Sequence, residues 1–423
     1  MSHTILSAAL PLKEEGVVTK VKTTKHLLLF AICFTSTMFG GTVSTLMSVY
    51  LPVAVKDLLG DVSVEKFNNV SAYISSVFIF GWMFGGIAWG LICDKIGRSK
   101  TVILATAFYA LFTVLTGFSP SWFLVAVCRF LSGFGIGGVL VTTNILVAEA
   151  WSPKKRAVAL GILSISIPVG IFSAGFIELF VSTWRQAFLI GLIPMLVAVT
   201  AMFTLEEPES RKDGSPEKDG QIVLSQKLFN ISYRKDLLLG SVIFGTMLIG
   251  LWAIFSWLPT WVQSISPSNE QHNRGLSMMI LGAGGLTGGF ISGWIANAIG
   301  LRRTMLMCFL VSFIFSLLLF KINTAFNTTA FIELSVLALF FGISQGVLSV
   351  YIPLLFPRIV RASATGFCFS AGRLFTATVV FFVGALVSFL GGYGNAIFIF
   401  SFVFVIGFIT TLFGKQNSIN YQD

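Results

Sequence analysis

The stretch Gly90-Leu-Ile-Cys-Asp94-Lys95-Ile-Gly97-Arg98-Ser-Lys100 recurs 203 residues later as Gly293-Trp-Ile-Ala-Asn297-Ala-Ile-Gly300-Leu-Arg302-Arg303. Both copies run glycine, three residues, Asp or Asn, a second glycine three further on, then basic residues. A second echo, Arg156-Ala-Val-Ala-Leu-Gly161 and Arg361-Ala-Ser-Ala-Thr-Gly366, repeats at a separation of 205. Two echoes at nearly one offset argue for duplication of a unit about half the chain long.

Working outward from these loops, apolar runs fall near 26–55, 69–92, 100–117, 121–150, 157–181, 184–205, 235–263, 274–297, 304–322, 328–356, 364–390 and 392–414. Across 423 residues, 55% are hydrophobic and 11% charged, mean hydropathy is +0.88, and Phe occurs 43 times. Soluble domains carry about 25% charged residues, so too little charge is present to cover a water-facing surface. A bilayer-crossing helix takes about 20 apolar residues, and open strands would leave N–H and C=O groups stranded in hydrocarbon. The expected fold is an all-α membrane protein: twelve transmembrane helices as two pseudo-symmetric six-helix bundles. A soluble enzyme, a disordered tail and a nucleic-acid-binding module are excluded.

Charge placement orients the spans. With an internal N-terminus, 21 Lys and Arg fall in cytoplasmic segments and five (Lys56, Lys66, Arg185, Arg274, Lys321) in external ones, while Arg129 and Arg373 lie within spans. This is the positive-inside bias, so the net charge of +10 reports topology. The chain divides into a cytoplasmic tail (1–25), a first bundle (26–205), a charged, Gly- and Pro-containing cytoplasmic linker (206–234), a second bundle (235–414) and a cytoplasmic tail (415–423). Cys33, Cys93, Cys128, Cys308 and Cys368 have no metal-ligand or disulfide spacing, and the three histidines (His3, His26, His272) form no cluster. Gly133-Phe-Gly135-Ile-Gly137-Gly138 has the GxGxxG spacing but sits inside an apolar run with no strand before it. It reads as close helix packing, as do Gly81, Gly85, Gly86 and Gly90, and the glycines from Gly282 to Gly293.

On these loops the chain resembles the major facilitator superfamily. Further similarity lies in Arg129-Phe-Leu-Ser-Gly133, Ala148-Glu149 with Pro153, Lys155 and Arg156, Thr183-Trp184-Arg185, Trp257-Leu-Pro259, Phe356-Pro357 and Gly372-Arg373-Leu. The nearest similarity is to the organic-acid and sugar-type branch of proton symporters, including sialate and aromatic-acid carriers. The resemblance implies a central cavity lined by the first, fourth, seventh and tenth spans. Three departures stand out. Many organic-acid symporters carry an acidic residue in the first span, and Cys33 to Val55 contains none; Leu354-Leu-Phe-Pro357 replaces a frequent Glu-x-Phe-Pro; and Pro168 follows Ile167, so no drug-antiporter Gly-Pro signature forms.

Ionisable groups inside the membrane are the candidate working parts. Arg373 is either a bidentate clamp on a substrate carboxylate or a cation bonded to carbonyls, Ser370 or Thr376. For Arg129 the resemblance implies a coupling role beside a carboxyl group; the alternative is a polar tie between helices. Tyr50, Trp257 and Tyr351 complete the expected substrate site, with Trp252, Phe255 and Trp261 as further aromatic candidates. Glu178 and Glu333 could take a proton or sit at the lipid–water interface. The resemblance implies a cytoplasmic gate of Asp94, Arg98, Glu149 and Arg156, closing the inside while the cavity opens outward. The expected function is secondary active transport of a small organic anion, a carboxylate, by proton-coupled import; the alternatives are a multidrug or metabolite exporter of the same fold and a non-transporting receptor. Expected partners are the anionic solute, H+ and the bilayer, with no cofactor, metal or nucleic acid. A monomer in a bacterial inner (plasma) membrane, both termini cytoplasmic, completes the expectation.

Overall fold

The computed structural model describes residues 12–205, 231–266, 268–357 and 360–414. Twelve helices are long and apolar enough to span a bilayer: α1 (His26–Leu59), α2 (Val64–Ile96), α3 (Arg98–Phe118), α4 (Trp122–Ala150), α5 (Val158–Phe180), α6 (Trp184–Thr204), α7 (Tyr233–Ser264), α8 (Glu270–Ile299), α9 (Leu301–Ile322), α10 (Thr328–Leu354), α11 (Arg361–Phe389) and α12 (Tyr393–Leu412). No strand occurs among the described residues. The helix carrying α1 runs back to Leu12, within the stretch expected as a tail, and the one carrying α7 begins at Ile231. Residues 1–11, residues 206–230 of the expected linker and the tail beyond 414 lie outside the described residues.

Local chemistry sets the helix ends. The side chains of Ser63, Ser121 and Asn327 accept hydrogen bonds from Lys66 N, Leu124 N and Ala330 N, capping α2, α4 and α10. At the other end of α2 and of α8, the echo loops turn on Gly97 (φ 106°) and Gly300 (φ 90°). Side-chain-bearing residues rarely adopt these angles. Each glycine N–H still bonds back into the helix it ends, to Cys93 O and Ala296 O, so α3 and α9 start at the next residue.

Helices without side chains at the contact can approach closely in lipid, where apolar burial gives little drive and packing must hold them. Gly81 and Gly85 of α2 face the carbonyls of Phe130 and Phe134 on α4, while Gly133 and Gly137 face those of Phe78 and Trp82. In the second half Gly288 of α8 meets Leu339 O of α10, and Gly342 meets Gly285 O. The duplication is thus visible as one glycine-lined helix pair per half. The α2 glycines pack within a half. The contacts between halves fall instead to Gly175 of α5 against Gly275 of α8, and Gly282 of α8 against Phe172.

Large apolar side chains such as Phe203, Phe389 and Trp294 remain exposed around the outside. On a soluble protein such a belt would be an aggregation surface; here it is the lipid contact. A Cβ at position 85 would collide with the Phe134 carbonyl, whereas one at position 90 meets open space. Gly85→Val should therefore abolish monodisperse protein in detergent size-exclusion chromatography, since overpacking costs about 1–3 kcal/mol even where side chains can give. Gly90→Ala should elute as wild type.

Candidate functional site

Three arginines lie inside the helical body, and each solves the cost of a cation in hydrocarbon differently. That cost is about 2.5–3.5 kcal/mol on insertion scales. Arg129 is 2% exposed on α4, with its guanidinium 4.1 Å from the Phe78 ring centroid. Its Nη1 donates to Val43 O at 2.9 Å and Nη2 to Ser44 O at 3.4 Å. It ties α4 to the backbone of α1.

Arg274, on the second turn of α8, is 4% exposed. Nε and Nη2 donate to Glu178 Oε1 on α5 at 3.1 and 2.5 Å, and Nη1 donates to Gln263 Oε1 on α7 at 2.9 Å. Gln271 Nε2 donates to the Glu178 backbone oxygen at 2.6 Å. Glu178 itself is 0% exposed. Tyr50 of α1 lies beside the carboxylate and donates its hydroxyl to Val181 O at 2.5 Å. This buried pair joins the two halves. Removing one partner of such a pair leaves an uncompensated charge, at a cost of about 3–5 kcal/mol.

Arg373 is half-buried on α11, about 18 Å along the helix from Arg361 at 1.5 Å per residue. Its guanidinium makes no hydrogen bond or ion pair with a described residue. Thr376, one of the partners considered for it, donates to Gly372 O at 2.8 Å instead. Its nearest notable neighbour is Trp82 of α2, with 5.9 Å from guanidinium carbon to ring centroid, at the outer limit of a cation–π contact. Trp82 in turn stands edge-on to Trp252 of α7 at 5.4 Å, and Phe255 of α7 stands edge-on to Phe341 of α10. An unpaired planar cation beside aromatic walls can accept a carboxylate bidentately.

At the end of the bundle away from the basic loops, more contacts join the halves. Tyr393 Oη donates to Asn68 Oδ1 at 2.8 Å and Tyr73 stacks on Phe381 at 4.9 Å, while within the second half Trp257 stacks on Tyr393 at 5.7 Å. Toward the basic loops, Asn144 of α4 and Gln345 and Ser349 of α10 are exposed polar side chains on otherwise apolar helices.

The structure therefore scatters the residues expected to share one substrate site. Only Arg373 stands mid-span with its donors unused. Tyr50 and Trp257 are buried at the closed end, Arg129 is held by carbonyls, and Tyr351 packs against Gly414 beyond α12. Of the two acids, Glu333 is half-buried and accepts from Asn323 Nδ2 at 2.6 Å, near the start of α10, while Glu178 is the sealed one. Among the expected gate residues, Arg98 Nε pairs with Glu149 Oε1 at 3.2 Å, and Asp94 acts on the same neighbourhood around Cys93. That pair lies wholly in the first half, joining the start of α3 to the end of α4 rather than one half to the other. Arg156 is exposed and outside it. Arg274, Trp82, Gln263 and Gln271 escaped the sequence reading. Arg274 counted as a loop charge, although it is the fifth residue of α8 and stands at the start of its apolar run.

Residues 26–377 match the family described as Major Facilitator Superfamily. The chain belongs to that superfamily. Among its curated relatives, a cis,cis-muconate transport protein of Acinetobacter baylyi is 26% identical over 82% of this chain and 86% of that one. A sialic acid transporter of Escherichia coli is 28% identical over 85% and 87% respectively, and a benzoate transport protein of A. baylyi is 25% identical over 68% of each. The crystal structure of a D-xylose–proton symporter shares the fold, with TM-score 0.77 at 14% identity over 92% of this chain and 96% of that one. This member of the superfamily is a secondary transporter, not an enzyme.

The carbonyl-held arginine has a structural consequence that can be measured. Hydrogen bonds to charged groups contribute about 1.5–3 kcal/mol, so Arg129→Gln should lower the thermal midpoint of purified transporter by several degrees. An unchanged midpoint would remove Arg129 from the framework of the first half.

Proposed function

We propose that this transporter carries a small carboxylate anion through one central site, and that it imports the anion together with protons by alternating access. The observation that carries the reading is Arg373: a cation at mid-span, on the second half, facing Trp82 of the first half, with no hydrogen-bond or ion-pair partner among the described residues. A guanidinium in such a place is stable only with water or an anion against it. Its planar fork fits a carboxylate better than a lysine ammonium would. The tryptophans beside it suit a planar or ring-bearing acid. The muconate, sialic acid and benzoate named for its relatives are all carboxylates.

The described conformation supports alternating access. Glu178–Arg274 and Tyr393–Asn68 hold one end shut, while exposed polar groups on α4 and α10 lie toward the basic loops. By the positive-inside rule those loops are cytoplasmic, so this is the inward-facing state, in a bacterial plasma membrane with both termini inside. Energetically the cycle is feasible. One charge crossing 100 mV releases about 2.3 kcal/mol, and a tenfold proton gradient adds about 1.4 kcal/mol.

In proteoliposomes, counterflow of a labelled monocarboxylate should fall by at least about tenfold in Arg373→Ala, and Arg373→Lys should recover only part of it. The thermal midpoint should stay at the wild-type value, because Arg373 makes no hydrogen bond or ion pair among the described residues. Uptake at the wild-type rate in Arg373→Ala, or extrusion of lipophilic cations by the wild type in place of anion counterflow, would overturn the carboxylate reading.

A further inference from the structure

Glu178 is the one acidic side chain fully buried among the described residues, and it is also the side chain through which α5 grips α8 of the other half. Its two oxygens are unlike. Oε1 takes both N–H groups offered by Arg274, whereas Oε2 is sealed from solvent and has no hydrogen-bond partner. A buried carboxylate oxygen without a donor is under-satisfied, and a proton is the smallest species that could complete it.

We propose that Glu178 is the proton-binding site of the transport cycle, that Arg274 is the counter-ion the proton displaces, and that this exchange unlocks the closed end. The proposal rests on the reading of the chain as an ion-coupled carrier. The chemistry is one step. An O–H bond forms at Oε2, the carboxylate becomes a neutral acid, and no other covalent bond changes. Arg274 stays cationic and keeps Gln263 Oε1 as acceptor, with water as its second partner once the end opens. The two halves then lose their charge-assisted link, leaving the Gln271 bond to the Glu178 backbone and the Tyr393–Asn68 bond. Neutral bonds of this kind are roughly half as strong as charge-assisted ones. Deprotonation restores the clasp, so proton release and closure of this end are one event.

The groups facing the carboxylate are few. Tyr50 comes from α1, Gln263 from α7, and Arg274 with Gln271 from α8. Asp57, Arg185 and His272 at this end stand apart. Asp57 and Arg185 pair at 3.2 Å within the first half and are partly exposed. His272, two residues before Arg274, is exposed; it must be tested as a rival.

The deciding measurement needs no substrate. Spin labels at Lys66→Cys on α2 and Glu270→Cys on α8 report the separation of the halves by double electron–electron resonance in reconstituted full-length protein. The five native cysteines are buried. Wild type should show a short-distance population at about pH 8 and a longer one at about pH 5, a shift that His272→Gln retains. Glu178→Gln, which keeps shape and an acceptor for Arg274, should hold the longer population at both pH values, at least about fivefold enriched over wild type at the higher one. In proteoliposomes the same variant should keep substrate counterflow but lose proton-driven accumulation by about tenfold or more. Identical distance populations in wild type and Glu178→Gln, or a pH response abolished by His272→Gln, would overturn the proposal. A Glu178-dependent distance shift in a protein that exchanges no carboxylate would support the proton site while overturning the substrate reading.

Discussion

Every cation inside a bilayer must find an anion, a carbonyl or water, and that rule sorts the arginines of this transporter. Arg129 is answered by the backbone oxygens of Val43 and Ser44, Arg274 by the carboxylate of Glu178, and Arg373 by nothing among the described residues. The first is framework, the second a clasp between halves, and the third is the group to which we assign the transported anion. Each role follows from which partner the fold supplies, since the side chain is the same in all three.

The helices can be arranged this way because of where side chains are missing. In lipid the apolar surface gives little preference for one partner over another, so contact distance decides which helices pair. Gly81, Gly85, Gly133 and Gly137 let α2 and α4 meet at their backbones, and Gly288 and Gly342 do the same for α8 and α10. Each half is consequently stiff across that pair. The halves meet each other through a second set, Gly175 with Gly275 and Gly282 with Phe172, crossed by aromatic contacts such as Trp82 on Trp252. Smooth glycine contacts between stiff bundles leave polar and ionic bonds at the ends to decide which end is shut.

Much of this was open to reading in the chain itself, and the misreadings are instructive. The echo loops gave the duplication, and Gly97 and Gly300 proved to turn alike in both copies. Asp94, Arg98 and Glu149 do gather at one loop, but the Arg98–Glu149 pair binds α3 to α4 within a half. Spacing along a chain says which residues are near a given membrane face, and it is silent on which bundle a side chain turns toward. Arg274 was counted with external loop charges because hydropathy places a residue in depth only, and its partner lies 96 residues away. Tyr50 and Trp257 stand on the helices expected to line a cavity, yet both are sealed at the closed end; rotation about the helix axis and the conformational state decide that.

Sequence by itself determined the number of spans, their order, the duplication and the sign of charge at each face, because these follow from hydrocarbon thickness, backbone satisfaction and charge placement along one dimension. Only the tertiary structure separated Arg129 from Arg373 and joined Glu178 to Arg274. Those distinctions depend on helix phase and on approach between segments far apart in the chain, and a one-dimensional pattern carries neither.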